Sequence, residues 1–357
     1  MSQARPPRPA SRPLRPRHRV VNGATAAHRP RPASPSRAPS RPAPIALPLL
    51  TAGLILAAAL TAGCSSSPAR ADSRAKAPLR GPVPLSSADR SALAPLIVRE
   101  RWIAADEARQ DLAIAVVARL LGPDYRLLGT ARPGPRGPRL ATFQHLASGL
   151  ELMLIPGERL AAGSLSGGAR EVFVAPFLLG RFEVDQRTWD RFGGHDARTA
   201  RGPELPIHGL SLLDAEVWLG KVGGDLRLPA AVEWRYAALA GSTRTFFWGD
   251  NLDGRYAWSA DNSGGRPQPV TRHADAPNPL GLVDIFGNVA ELAIDGRARA
   301  RGEASRRAFL LGGSWKLTDR PGLTVTGGLT RNADAGLRVC RGLRLPADYV
   351  IATQRGG

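Results

Sequence analysis

A single uncharged run, Ile45–Leu60 (IALPLLTAGLILAAAL), decides how the rest of this 357-residue chain must be read. Ten arginines, many prolines and no acidic residue precede it, between Met1 and Pro44. The small residues Thr61-Ala-Gly63 follow it and lead to Cys64. A basic segment, an apolar stretch and small residues before a cut site form the physical pattern of a secretory signal. Even extended to Gly63, the run falls short of the about 20 apolar residues that a spanning helix needs. An uncleaved anchor helix is the competing reading, and either one places the remainder outside the cytoplasm.

Residues 1–44 bury too little apolar surface to offset their ordering entropy and are expected to be disordered. They supply more than half of the formal charge of +19. The basic balance therefore sits in a tail, not on a folded face with aromatic platforms, and nucleic acid is not an expected partner. The sequence Leu60-Thr-Ala-Gly-Cys64, followed by three serines, resembles a lipobox, the signal of bacterial lipoproteins. It departs from that pattern at Thr61, where an aliphatic residue is usual. The resemblance implies a signal over 45–63, lipidation of Cys64, and a membrane-anchored, extracytoplasmic protein of the bacterial cell envelope. The Ser, Ala, Pro and Arg-rich stretch over 64–87 reads as a tether. With lipid on Cys64, Cys340 is the one other cysteine, which leaves no disulfide scaffold and no cysteine-based zinc site.

A helical segment over 88–122 follows. Leu96, Ile103, Leu112, Val116, Val117, Leu120 and Leu121 can share one stripe, stopped by Gly122-Pro123. After a Pro/Gly/Arg linker at 131–138, a domain over 141–346 changes texture to short strands, short helices and loops. Leu150–Ile155 and Glu171–Val174 read as strands, and Gly163–Gly168 as a turn. Asp185 reads as the N-cap of a helix through Phe192. Ser211 and Asp214 form a capping box before Ala215, Trp218, Leu219 and Val222. Pro229 is expected at the first position of the next helix, which Gly241 closes.

Across this domain, six motifs fall in order: Phe182-Glu-Val-Asp-Gln-Arg-Thr-Trp189, Arg227-Leu-Pro-Ala-Ala-Val-Glu-Trp234, Phe247-Trp-Gly249, Asn278–Glu291, Gly312-Gly-Ser-Trp315 and Gly336-Leu-Arg338. Together they resemble the formylglycine-generating enzyme family, also called the sulfatase-modifying factor domain. The resemblance runs from about Leu150 to Leu345. It implies an α+β fold with little regular secondary structure, C-type-lectin-like, which the N-terminal helical segment over 88–122 precedes.

Function does not follow from fold. Active family members oxidise a sulfatase cysteine through two cysteines that hold copper(I), and soft thiolates are what such a site needs. The resemblance places those cysteines at Leu317 and Gly322, neither of which ligates copper, so no copper and no oxidase chemistry are expected. Cys340 reads as a small core hydrophobe. The family also implies calcium at Asp284, Gly287, Val289 and Glu291, two carboxylates and intervening carbonyls suited to a hard cation. The competing reading has Asn288 and Glu291 holding the loop by hydrogen bonds alone. No two of His145, His195, His208 and His273 share metal-ligand spacing, and His208 reads as structural. The expected function is non-catalytic binding or scaffolding of an envelope protein or a glycan, with a formylglycine-generating oxidoreductase as the alternative.

Overall fold

The computed structural model describes residues 83–134, 137–161, 171–296, 307–319, 324–327, 330–346 and 348–349. The leader, Cys64, the tether as far as residue 82 and Gly163–Gly168 lie outside the described residues, as does Gly322; the last tether residues, Ser86 and Ser87, cap and begin the first helix.

Three helices come first: α1 (Ser87–Leu93), α2 (Arg99–Ala104) and α3 (Glu107–Leu121). The expected continuous stripe is broken because Pro95 opens a 3-10 turn and Asp106 starts α3 afresh as its N-cap. Ile103 of α2 turns outward, 52% exposed, and so does Leu112, 61% exposed, which lies on the face of α3 opposite Ala113, Ile114 and Val117. The other five expected residues, Leu96, Val116, Val117, Leu120 and Leu121, are buried as expected, joined by Leu93, Ile97, Trp102, Ala113 and Ile114. Trp102 anchors this buried set, its indole N–H donating to the Arg139 carbonyl at 2.7 Å.

The strands that follow are β1 (Tyr125–Ala131), β2 (Leu140–His145), β3 (Glu151–Ile155), β4 (Glu158–Leu160), β5 (Val172–Val174) and β6 (Phe177–Gly180). Helices α4 (Gln186–Arg191), α5 (Leu212–Val222) and α6 (Ala231–Leu239) come next. The rest carries short strands: β7 (Ala257–Trp258), β8 (Phe286–Gly287), β9 (Ala290–Ile294), β10 (Arg307–Leu311), β11 (Thr324–Gly327), β12 (Ala335–Gly336) and β13 (Cys340–Gly342). One sheet runs β1-β2-β3-β6-β13 and a second runs β11-β10-β9-β12; β4 pairs with β5 and β7 with β8. This is the mixed, loop-rich α+β architecture implied by the motif order. The strand after the last motif returns to pair with β6, Cys340 opposite Leu179. It thereby joins the start of the domain to its end, and Cys340 is fully buried there.

The helix caps sit where the local chemistry puts them. Asp185 accepts from the Thr188 amide at 2.8 Å. Ser211 and Asp214 make a reciprocal capping box at α5. Helix α6 starts at Ala231, two residues beyond Pro229. The reason lies in Glu233, whose carboxylate folds back to the Ala230 amide at 2.8 Å and holds the Arg227 guanidinium through both oxygens. Pro229 remains outside the helix, its carbonyl accepting from Ile294 of β9.

Candidate functional site

The loop Asn278–Glu291 enters the core with few partners of its own, so its polar groups are satisfied from elsewhere. Asn278 donates to the Ala237 carbonyl at the end of α6 and accepts from Leu280 and Leu282. Asn288 is fully buried in a left-handed conformation, φ 50°, which Asn tolerates better than most residues. Its side chain accepts from Gln268 N and donates to Glu183 Oε2 at 2.6 Å; its carbonyl accepts from Trp315 N. Gly287, at φ 80°, packs so closely that a Cβ would lie 2.2 Å from the Trp258 carbonyl.

Beneath this loop lies a buried ionic cluster. The Arg338 guanidinium meets Glu291 through Nε and Nη2, the shortest contact being 2.6 Å. Its remaining N–H groups reach the carbonyls of Gly180, Arg181 and Val283. Glu291 also accepts from the Trp234 indole N–H at 2.6 Å. Glu183 adds a carboxylate, bonded to Asn288 and to the Val289 amide. Asp284 adds another, its Oδ1 on His273 Nδ1 at 2.7 Å. Burial, reinforced by Asp284 and Glu291, pushes Glu183 well above the usual carboxylate range against the pull of Arg338. Burial also raises Asp284, against its His273 bond. Three carboxylates thus face one guanidinium.

The four residues implicated in calcium binding therefore share one buried loop, and Asp284 Oδ2 is a buried oxygen with no hydrogen-bond partner. That free acceptor and the acidic excess fit a hard cation at Asp284 and the neighbouring carbonyls. Glu291 fits less well as a ligand, since Arg338 and Trp234 engage both of its oxygens. Among the described residues, no three His, Cys, Asp or Glu side chains converge to hold a metal, so backbone oxygens would have to complete the shell. The hydrogen bonds of Asn288 and Glu291 are all present in this arrangement.

Where copper-binding relatives are expected to carry their first thiolate, Leu317 is buried at 9% exposure. Its methyls pack on Gly313: a Cβ there would stand 2.9 Å from Cδ1. Around it, Ser314 donates to Asp334 at 2.6 Å, and Ser263 donates to the Trp315 carbonyl. His208 Nε2 accepts from the amides of Thr199 and Ala200, and its ring meets Trp315 edge-on at 5.3 Å. These bonds fix it as a neutral structural histidine, and burial lowers its pKa. Cys340 lies in β13, with Glu233 Oε2 3.8 Å from its sulfur.

Three members of this site escape a reading based on spacing: Glu183, His273 and Arg338. The available signal was physical. A lone charge inside Phe182-Glu-Val184 or Gly336-Leu-Arg-Val-Cys340, both apolar stretches, needs a buried partner. His273 gave no comparable signal.

Residues 142–343 match the family model described as the Sulfatase-modifying factor enzyme 1-like domain. Among curated proteins, the chain is 23% identical over 253 residues to "Chaperone protein LppX" of Paenibacillus barcinonensis, covering 54% of this chain and 89% of that protein. It is 32% identical over 119 residues to the formylglycine-generating enzyme of Mycobacterium tuberculosis, covering 29% of this chain and 38% of the enzyme. Among solved structures, PvdO from Pseudomonas aeruginosa aligns over 61% of this chain and 99% of its own, at 18% identity and a TM-score of 0.44.

Proposed function

The chain belongs to the Sulfatase-modifying factor enzyme 1-like domain family, and on that premise we propose that it is a lipid-anchored, extracytoplasmic recognition or scaffold protein of the bacterial cell envelope. The observation that carries this reading is Leu317, an apolar side chain packed on Gly313 at the position where a copper thiolate is expected. A branched hydrocarbon neither ligates a soft metal nor exchanges electrons. The relative named as a chaperone supports it too, since a chaperone acts by binding its client. Anchoring is through Cys64. The calcium site uses Asp284 with the carbonyls of Gly287 and Val289, while Glu291, held by Arg338 and Trp234, braces the loop. There, calcium would neutralise the acidic excess and fix the loop.

The test is retention. The full chain, extracted from membranes and used as bait, should hold an envelope protein or glycan through washing. Failure to retain either, together with silence on a glycan array, would remove the reading.

A second reading, oxidation of the formylglycine-generating type, draws on the 32% identity to the mycobacterial enzyme. Incubating the chain with copper(I) and a sulfatase-motif peptide separates the two. Turnover of the peptide cysteine to formylglycine, read by mass, would favour the enzyme.

A further inference from the structure

A groove of about 970 Å³ opens beside the loop 272–279, away from Leu317 in sequence and lined by none of the residues around it. Its volume is at the upper end of the about 300–1,000 Å³ typical of small-ligand sites. Trp248, Tyr256 and Trp258 line it together with Arg255, Arg272 and Asp275.

The aromatic lining is held rigidly. Trp248 stacks on Phe246 at 4.5 Å and on Tyr256 at 5.2 Å, and its indole N–H is fixed to the Asn251 carbonyl. Trp258 stacks on His273 at 4.3 Å and 13°, and that ring, which also lines the groove, is oriented by Asp284. Little side-chain freedom remains to be lost on binding. The polar lining is mixed and mainly cationic. Arg255 leans on Asp253 through Nε and Nη2, whereas Arg272 is exposed on the rim. A purely apolar ligand would strip water from these ions without replacing it. A sugar suits both kinds of lining, with C–H faces for the rings and hydroxyls for Asp275. Guanidinium groups pair best with carboxylates, through forked hydrogen bonds.

We propose that this groove binds an acidic oligosaccharide, its pyranose rings along the aromatic lining and a carboxylate on Arg272. The proposal rests on the recognition reading above and gives it a ligand class and a place.

Isothermal titration of the full chain with tetragalacturonate, a hyaluronan hexasaccharide and neutral maltotetraose tests it. At least one acidic probe should bind about tenfold or more tightly than maltotetraose, and added salt should weaken it. Arg272→Ala should lower that affinity about tenfold, and Arg255→Ala should lower it less because Asp253 already holds that guanidinium, both with unchanged melting temperature. Absence of binding by both acidic probes would overturn the proposal. So would equal affinity for maltotetraose or an indifferent Arg255/Arg272 double variant. If the sugars fail while the bait still retains an envelope protein, the groove is wrong and the recognition reading stands.

Discussion

Arg338 and Glu291 are both buried in an interior where an unpaired charge costs several kcal/mol, and each satisfies the other. Arg338→Met should therefore destabilise the fold by about 3–5 kcal/mol in urea unfolding, because it leaves the buried Glu291 carboxyl without its guanidinium partner, with only the Trp234 indole N–H to bond it. Adding Glu291→Gln should cost less than the sum of the two single changes; strict additivity would mean that the pair is not coupled. His208 makes a second residue-scale case. Burial holds its folded pKa below the unfolded value of about 6.5, so the folded state favours the neutral ring. Its contribution is full above that pH and is lost as pH falls, since a protonated Nε2 no longer accepts from Thr199 and Ala200. Melting temperature should decline between pH 7 and 5, with a smaller slope in His208→Gln. His145, lowered mainly by burial, supplies part of what remains.

Helix α5 shows how much one element owes to its first turn. Ser211 and Asp214 satisfy each other's backbone N–H groups, and Arg331 clasps Asp214 through Nε and Nη2. Ser211→Ala should cost about 1 kcal/mol by chemical denaturation. Burial works against ionisation of Asp214, yet the Arg331 and Ser211 bonds prevail and hold its pKa at about 2. Its support is thus present above about pH 4 and lost toward pH 2. The loop 278–291 is the other element with a prediction of its own. Chelator should lower the melting temperature of the full chain, and Asp284→Ala should abolish that response. A melting curve indifferent to chelator would leave Arg338 as the counter-charge of the cluster. The caps of α4 and α5 were legible because each lies within four residues of its partner. The division of the first helical segment was not, because a stripe can be drawn across Pro95 and Asp106 until packing shows which face is inside.

On the scale of the whole molecule, β13 closes the five-stranded sheet against β6, and Arg338 just before it reaches Glu291 of β9 in the second sheet. The two sheets and the loop 278–291 are thereby tied into one ionic core. The proposed anchoring belongs to this scale as well, since a lipid on Cys64 would hold the domain outside the cytoplasm. Cys64→Ser should move the protein from the membrane fraction to the soluble one after fractionation. Retention of the variant would favour an uncleaved anchor helix instead.

The amino-acid order alone determined the caps of α4 and α5, the motif series of the family and the hydrocarbon at residue 317. Each depends on neighbours in the chain, and short-range chemistry is visible without coordinates. Only the tertiary structure decided that Glu183 answers Asn288 across 105 residues and that Arg338 answers Glu291 across 47. It also decided that His273 turns to Asp284, and that Trp248 and Arg272 line one groove. A buried charge announces its need for a partner, but which segment supplies that partner is set by how distant strands and loops pack.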